Sequence, residues 1–120
     1  MLVVLSLLLA CAQPPPPVPV ERSVSELVSQ LEEAAYHHGN GHLEDALVAW
    51  SHANRTLEEQ VLPHIRARAG SREALEVEVL MGHVRHELDR QKGAPDTWIE
   101  PLLSEVQQQL APAAADSPQG

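Results

Sequence analysis

Through the middle of the chain, apolar residues return at steps of three and four, the spacing that gathers them on one face of an α-helix. The first stripe is Val24, Leu27, Val28, Leu31 and Ala35. Ser23 opens it with Glu26 three residues on, the pattern of a capping box, and Gly39 and Gly41 close it. A second stripe runs Leu43, Ala46, Leu47, Trp50, Asn54, Leu57, Val61 and Ile65 and ends near Gly70, with Pro63 expected to bend the helix that carries it. Trp50, at its centre, is expected to be the largest core side chain. Asn54 and His64 fall toward the apolar side, where a polar group needs a hydrogen-bond partner.

Ser71 opens a third helix with the stripe Ala74, Val77, Met81, Val84 and Leu88, and Gly93 and Pro95 break it. Asp96 is read as the cap of a fourth helix carrying Trp98 or Ile99, then Leu102, Leu103, Val106 and Leu110, with Pro101 tolerable only near the first turn. Leu75, Val79 and Leu80 lie off the centre of the third stripe and mark a modest exposed apolar patch. No strand-like alternation appears. The pattern predicts an all-α domain over residues 23–110, a small antiparallel four-helix bundle or two stacked helical hairpins.

The ends read differently. Residues 1–10, MLVVLSLLLA, form an apolar run too short to cross a hydrocarbon layer, which takes about 20 helical residues. The sole cysteine, Cys11, follows directly. Leu8-Leu9-Ala10-Cys11 resembles the lipobox of bacterial lipoproteins, and that resemblance implies a signal peptide over 1–10, lipid on Cys11 and a chain anchored to a membrane through that lipid. The run departs from ordinary export signals in lacking a Lys or Arg before it. The alternative is a buried apolar helix over residues 1–12 with Cys11 as a core thiol. Pro14 to Pro17 prevent such a helix from continuing into the domain. With Pro19 they favour an extended polyproline tether, completing a linker over 11–22. Ala12 stands where an aspartate tends to hold lipoproteins in the inner membrane, so the resemblance implies the outer membrane, facing the periplasm. Residues 111–120, rich in Ala, Pro and Ser, are expected to be a disordered tail.

Charge narrows the partners. Among 120 residues, 17 are acidic and 8 basic, a net charge of −9, whereas nucleic acid and anionic membrane surfaces select clustered Lys and Arg. With two Trp, one Tyr and no Phe, the chain lacks base-stacking platforms as well. Enzyme motifs are missing: there is no glycine-rich phosphate loop and no serine elbow, and His83-Val84-Arg85-His86-Glu87 is not HExxH because its acid lies outside the histidines.

Seven histidines raise metal chemistry, since imidazole and carboxylate together suit zinc, copper, nickel or iron. His37, His38 and His42 surround Gly39-Asn40-Gly41, so three imidazoles could converge at one loop; helix-end histidines also serve as ordinary caps. Glu76, His83 and Glu87 share one flank of the third helix, where the plain reading is a solvated face beside Arg90. No cofactor is expected, with a divalent metal as the alternative.

Two further resemblances concern the helical part. Gly41, Leu43, Ala46, Trp50 and Ala53 resemble the middle of a tetratricopeptide repeat, which implies a close-packed helical hairpin. Residues 39–90, through Leu57, Glu58, Glu78, Met81, Val84 and Arg85, are similar to the extracytoplasmic helical region of bacterial iron permeases, which implies a role in iron uptake. Together these readings predict a membrane-tethered, non-enzymatic interaction module that docks a protein partner. The alternative is a periplasmic metal-binding lipoprotein.

Overall fold

Among the described residues, the first helix starts directly after Pro19, the last proline of the N-terminal run. The structure, a computed structural model, describes residues 19–111; the proposed signal peptide, Cys11, most of the tether and residues 112–120 lie outside it. Helix α1 spans Val20–Gly39, with extended Pro19 as its N-cap and the Pro19 carbonyl accepting from the N–H groups of Arg22 and Ser23. The helix therefore starts ahead of Ser23. Ser23 does not cap it but faces inward, where its hydroxyl donates to Gln60 Oε1 at 2.8 Å.

Helix α2 (Leu43–Thr56), a π-helical segment (Leu57–Val61) and helix α3 (Leu62–Arg68) follow one another without a break. The π segment sits where the sequence predicts a bend. Pro63 has no N–H to offer the carbonyl four residues back, and its ring crowds that carbonyl. The ladder responds by widening ahead of the proline, so that Leu62 N–H reaches the Leu57 carbonyl. Gly70, at φ 114°, then reverses the chain into α4, Ser71–Leu88. A turn leads to α5, Asp96–Leu110. Asp96 makes no capping hydrogen bond. Pro101 stands in the second turn of α5 rather than the first, and the Thr97 carbonyl it leaves without a helical donor is on an exposed residue.

The fold is all-helical, with α1 packed antiparallel on α2 and α4 on α5. Its core combines Leu27, Leu31 and Ala34 of α1, Ala46, Ala49 and Ala53 of α2, and Leu57, Val61, Leu62 and Ile65 beyond them. Val77, Met81, Val84 and Leu88 of α4 meet Ile99, Leu102 and Val106 of α5 in the same cluster. The inner face of α2 is thus centred on alanines, turned away from the Leu47 and Trp50 line. Trp50 is half-buried at the margin, not the largest core side chain; its indole N–H donates to the Met81 carbonyl at 3.1 Å and the Arg85 guanidinium lies 5.6 Å from its ring. An indole carries a donor that must be satisfied, and the margin beside α4 supplies the acceptor. His64 is exposed, and Asn54 is half-buried. In α5 it is Ile99 that enters the core, while Trp98 lies partly open beside it.

Candidate functional sites

The turn between α1 and α2 is built by its hydrogen bonds. Gly41 takes φ 77°, its N–H donates to the His38 carbonyl at 3.0 Å, and His42 N–H donates to the His37 carbonyl at 2.9 Å. This pair of bonds is a Schellman motif, which requires a left-handed residue, here glycine, just after the helix. Its geometry brings the side chain one residue past that glycine against the one four before it. Those side chains are His42 and His37, whose ring centroids are 6.4 Å apart.

His42 is also the N-cap residue of α2, and Asp45 lies in the first turn of that helix. One ligand atom from each of His37, His42 and Asp45 falls within 4.8 Å of the others. His37 is half-buried, and His42 and Asp45 are exposed. His37 Nε2 stands 3.7 Å from Glu33 Oε2, and His37 Nδ1 is shielded from solvent with no hydrogen-bond partner.

His38 does not join them. It follows Leu31 and Ala34 on the buried face of α1, and its Nε2 lies 2.7 Å from the Arg90 carbonyl. That bond ties the end of α1 to the α4–α5 turn. Adjacent helical residues point about 100° apart, so His37 and His38 cannot both face the turn. Asp45 was not among the residues singled out by the sequence, although the Gly41 turn places the third residue of the next helix beside His42.

Glu76, His83 and Glu87 go to three separate tasks. His83 stacks on Trp98, with ring centroids 4.2 Å apart and planes 18° from parallel. Glu87 accepts from Ala94 N–H at 2.9 Å and pairs with Arg90 at 3.5 Å. The Ala94 hydrogen bond holds the Glu87 carboxyl below its ordinary range, aided by the positive charge of Arg90 and opposed by desolvation. Glu76 stands exposed on the wall of a groove. Of the residues carrying the iron-permease resemblance, Met81 and Val84 are core, Glu58 is exposed, and Glu78 faces Arg66 at 3.8 Å. Among the described residues, the His37, His42 and Asp45 group alone brings three such ligands together.

The groove lies between α4 and α5 and has a volume of about 500 Å³. Its wall on α4 includes Leu75 and Val79, 57% and 52% exposed and one helical turn apart, with Leu80 beside them. Trp98 and Glu105 line it from α5, and Arg72, Glu76 and His83 complete the rim. Stacking of His83 on Trp98 holds the indole in place there, so the apolar surface is preformed. No helix among the described residues is long and apolar enough to cross a membrane. No known protein family matches the chain, and no curated protein and no solved structure was found to be similar to it.

Proposed function

We propose that this chain is a non-enzymatic interaction module, tethered to a membrane through lipid on Cys11, whose α4–α5 groove receives an amphipathic helix of a partner protein. The observation that carries the reading is the groove itself. Leu75 and Val79 expose more than half their surface beside Leu80 and Trp98 instead of entering the core. A helix laid in such a groove buries apolar anchors spaced one turn apart, the same spacing as Leu75 and Val79.

Charge selects the flank of that helix. Glu76 and Glu105 on the rim outnumber Arg72, and the chain as a whole carries −9, so a basic edge on the incoming helix is favoured. The resemblance of Leu8-Leu9-Ala10-Cys11 to a lipobox, followed by the proline run, supports the tether. It would hold the module at an outer membrane, facing the periplasm.

The test uses two synthetic amphipathic helices with the same leucine face, one flanked by lysine and one by glutamate. The basic peptide is expected to bind saturably and shift tryptophan emission, while the acidic peptide binds more weakly. Leu75→Ser combined with Val79→Ser, both at exposed positions, is expected to abolish binding without loss of helicity. Equal binding by parent and double variant would overturn the reading. So would a parent dimer that the double variant dissolves, because the groove would then serve a second copy of the chain.

A further inference from the structure

We propose that the α1–α2 turn is a binding site for a divalent first-row transition metal, zinc being the type ion, held by an imidazole nitrogen from each of His37 and His42 and a carboxylate oxygen of Asp45. This site lies on the other helical hairpin from the groove and does not depend on its occupant. Two imidazoles and one carboxylate make a donor set that zinc accepts in tetrahedral geometry, with one position left for solvent or a further ligand.

Backbone geometry supplies the first argument. The Schellman turn at Gly41 fixes His42 against His37, and the same residue starts the helix that carries Asp45. The three side chains meet because of hydrogen bonds that hold regardless of any ion. Their ligand atoms lie within 4.8 Å of one another, and zinc bonds of about 2.1 Å at tetrahedral angles bring ligand atoms to about 3.4 Å. Rotations of His42 and Asp45, both exposed, close that gap without disturbing the core.

The state of His37 supplies the second. Histidine ligands commonly present their other ring nitrogen to a carboxylate, which fixes the tautomer and strengthens the donor. Glu33, one turn before His37, stands 3.7 Å from Nε2 and favours the proton there. With a proton on Nε2, the lone pair would fall on Nδ1, which is shielded from solvent and has no hydrogen-bond partner in the protein. A shielded nitrogen without a partner is costly, and a metal ion relieves that cost.

Isothermal titration of the full chain with zinc tests the proposal, in a Cys11→Ser background so that the thiol does not compete. One saturable site is expected, weakened at least about tenfold by His42→Gln and by Asp45→Asn. His38→Gln and His83→Gln are expected to leave the affinity unaltered, as is the Leu75→Ser, Val79→Ser pair. Circular dichroism of each variant checks that the helices persist. No saturable binding below about 100 micromolar would overturn the proposal. Retention of parent affinity by both His42→Gln and Asp45→Asn would overturn it as well, as would a loss that follows His38→Gln or His83→Gln instead.

Discussion

The two hairpins of this molecule solve the same packing problem with opposite materials. Where α1 meets α2, the buried residues of α2 are alanines, Ala46, Ala49 and Ala53, lying against Leu27, Leu31 and Ala34. Small side chains at a helix contact let the axes approach closely and leave little space for a ligand. Where α4 meets α5, the contact is made by Met81, Leu88, Ile99 and Leu102, and Leu75, Val79 and Trp98 remain along an open groove. Side-chain size at the contact decides which pair closes and which stays open. The loops differ in the same sense: the α1–α2 turn gathers side chains at an exposed site, whereas the α4–α5 turn folds its backbone onto the preceding helix.

That last contrast yields the largest expected effect. A Cβ on Gly93 would collide with the Glu87 carbonyl, whereas one on Gly41 meets nothing within 4 Å. Gly93→Ala is therefore expected to cost about 3 kcal/mol in chemical denaturation, because backbone must move to admit the methyl. Gly41→Ala carries only the left-handed conformation, about 1 kcal/mol. Equal losses for the two would show that the α4–α5 turn relaxes more easily than its packing implies.

A smaller effect separates the interfaces themselves. Ala53→Leu adds bulk at a fully buried contact between α1 and α2 and is expected to destabilise by about 1 to 3 kcal/mol. Val79→Leu adds bulk beside the open groove and should stay within about 0.5 kcal/mol of the parent. Thermal melts of the two variants check the pair. A tolerated Ala53→Leu would mean that the first hairpin is not packed as closely as its alanines require.

The smallest effect is electrostatic. The folded protein holds the Glu87 carboxyl below its ordinary range, chiefly through Ala94 N–H. Its contribution to stability is thus fully present above the usual carboxylate range and is lost as pH falls through the lower folded value. The difference in stability between parent and Glu87→Gln should shrink as the solution is acidified, measured by denaturant unfolding at a series of pH values. A gap that does not change with pH would show that the turn is held by packing alone.

Most of the helices were legible from spacing alone. The stripes centred on Leu27 and Leu31, on Val77, Met81 and Val84, and on Leu102 and Val106 mark core faces that the structure confirms. Errors arose where local chemistry offered two readings. Ser23 and Asp96 carry capping side chains, yet the N-cap positions fall to Pro19 and Pro95, and neither side chain caps. Trp50 is the bulkiest apolar residue of its stripe, but its N–H keeps it at the margin, beside the Met81 carbonyl.

The candidate sites divide similarly. Gly41, placed directly after a helix, already implies that His37 and His42 meet, because a Schellman turn is local and needs no distant partner. The exposed positions of Leu75 and Val79 also follow from the stripe beside them. Asp45, in the first turn after His42, follows from the same local geometry as the histidine pair. Only the tertiary structure decided that His38 turns inward to the Arg90 carbonyl and that Trp98 stacks on His83. Each of these depends on how one helix is rotated against another. Periodicity states which face of a helix is apolar, but the packing of large and small side chains at the contact sets which polar groups end up opposite one another.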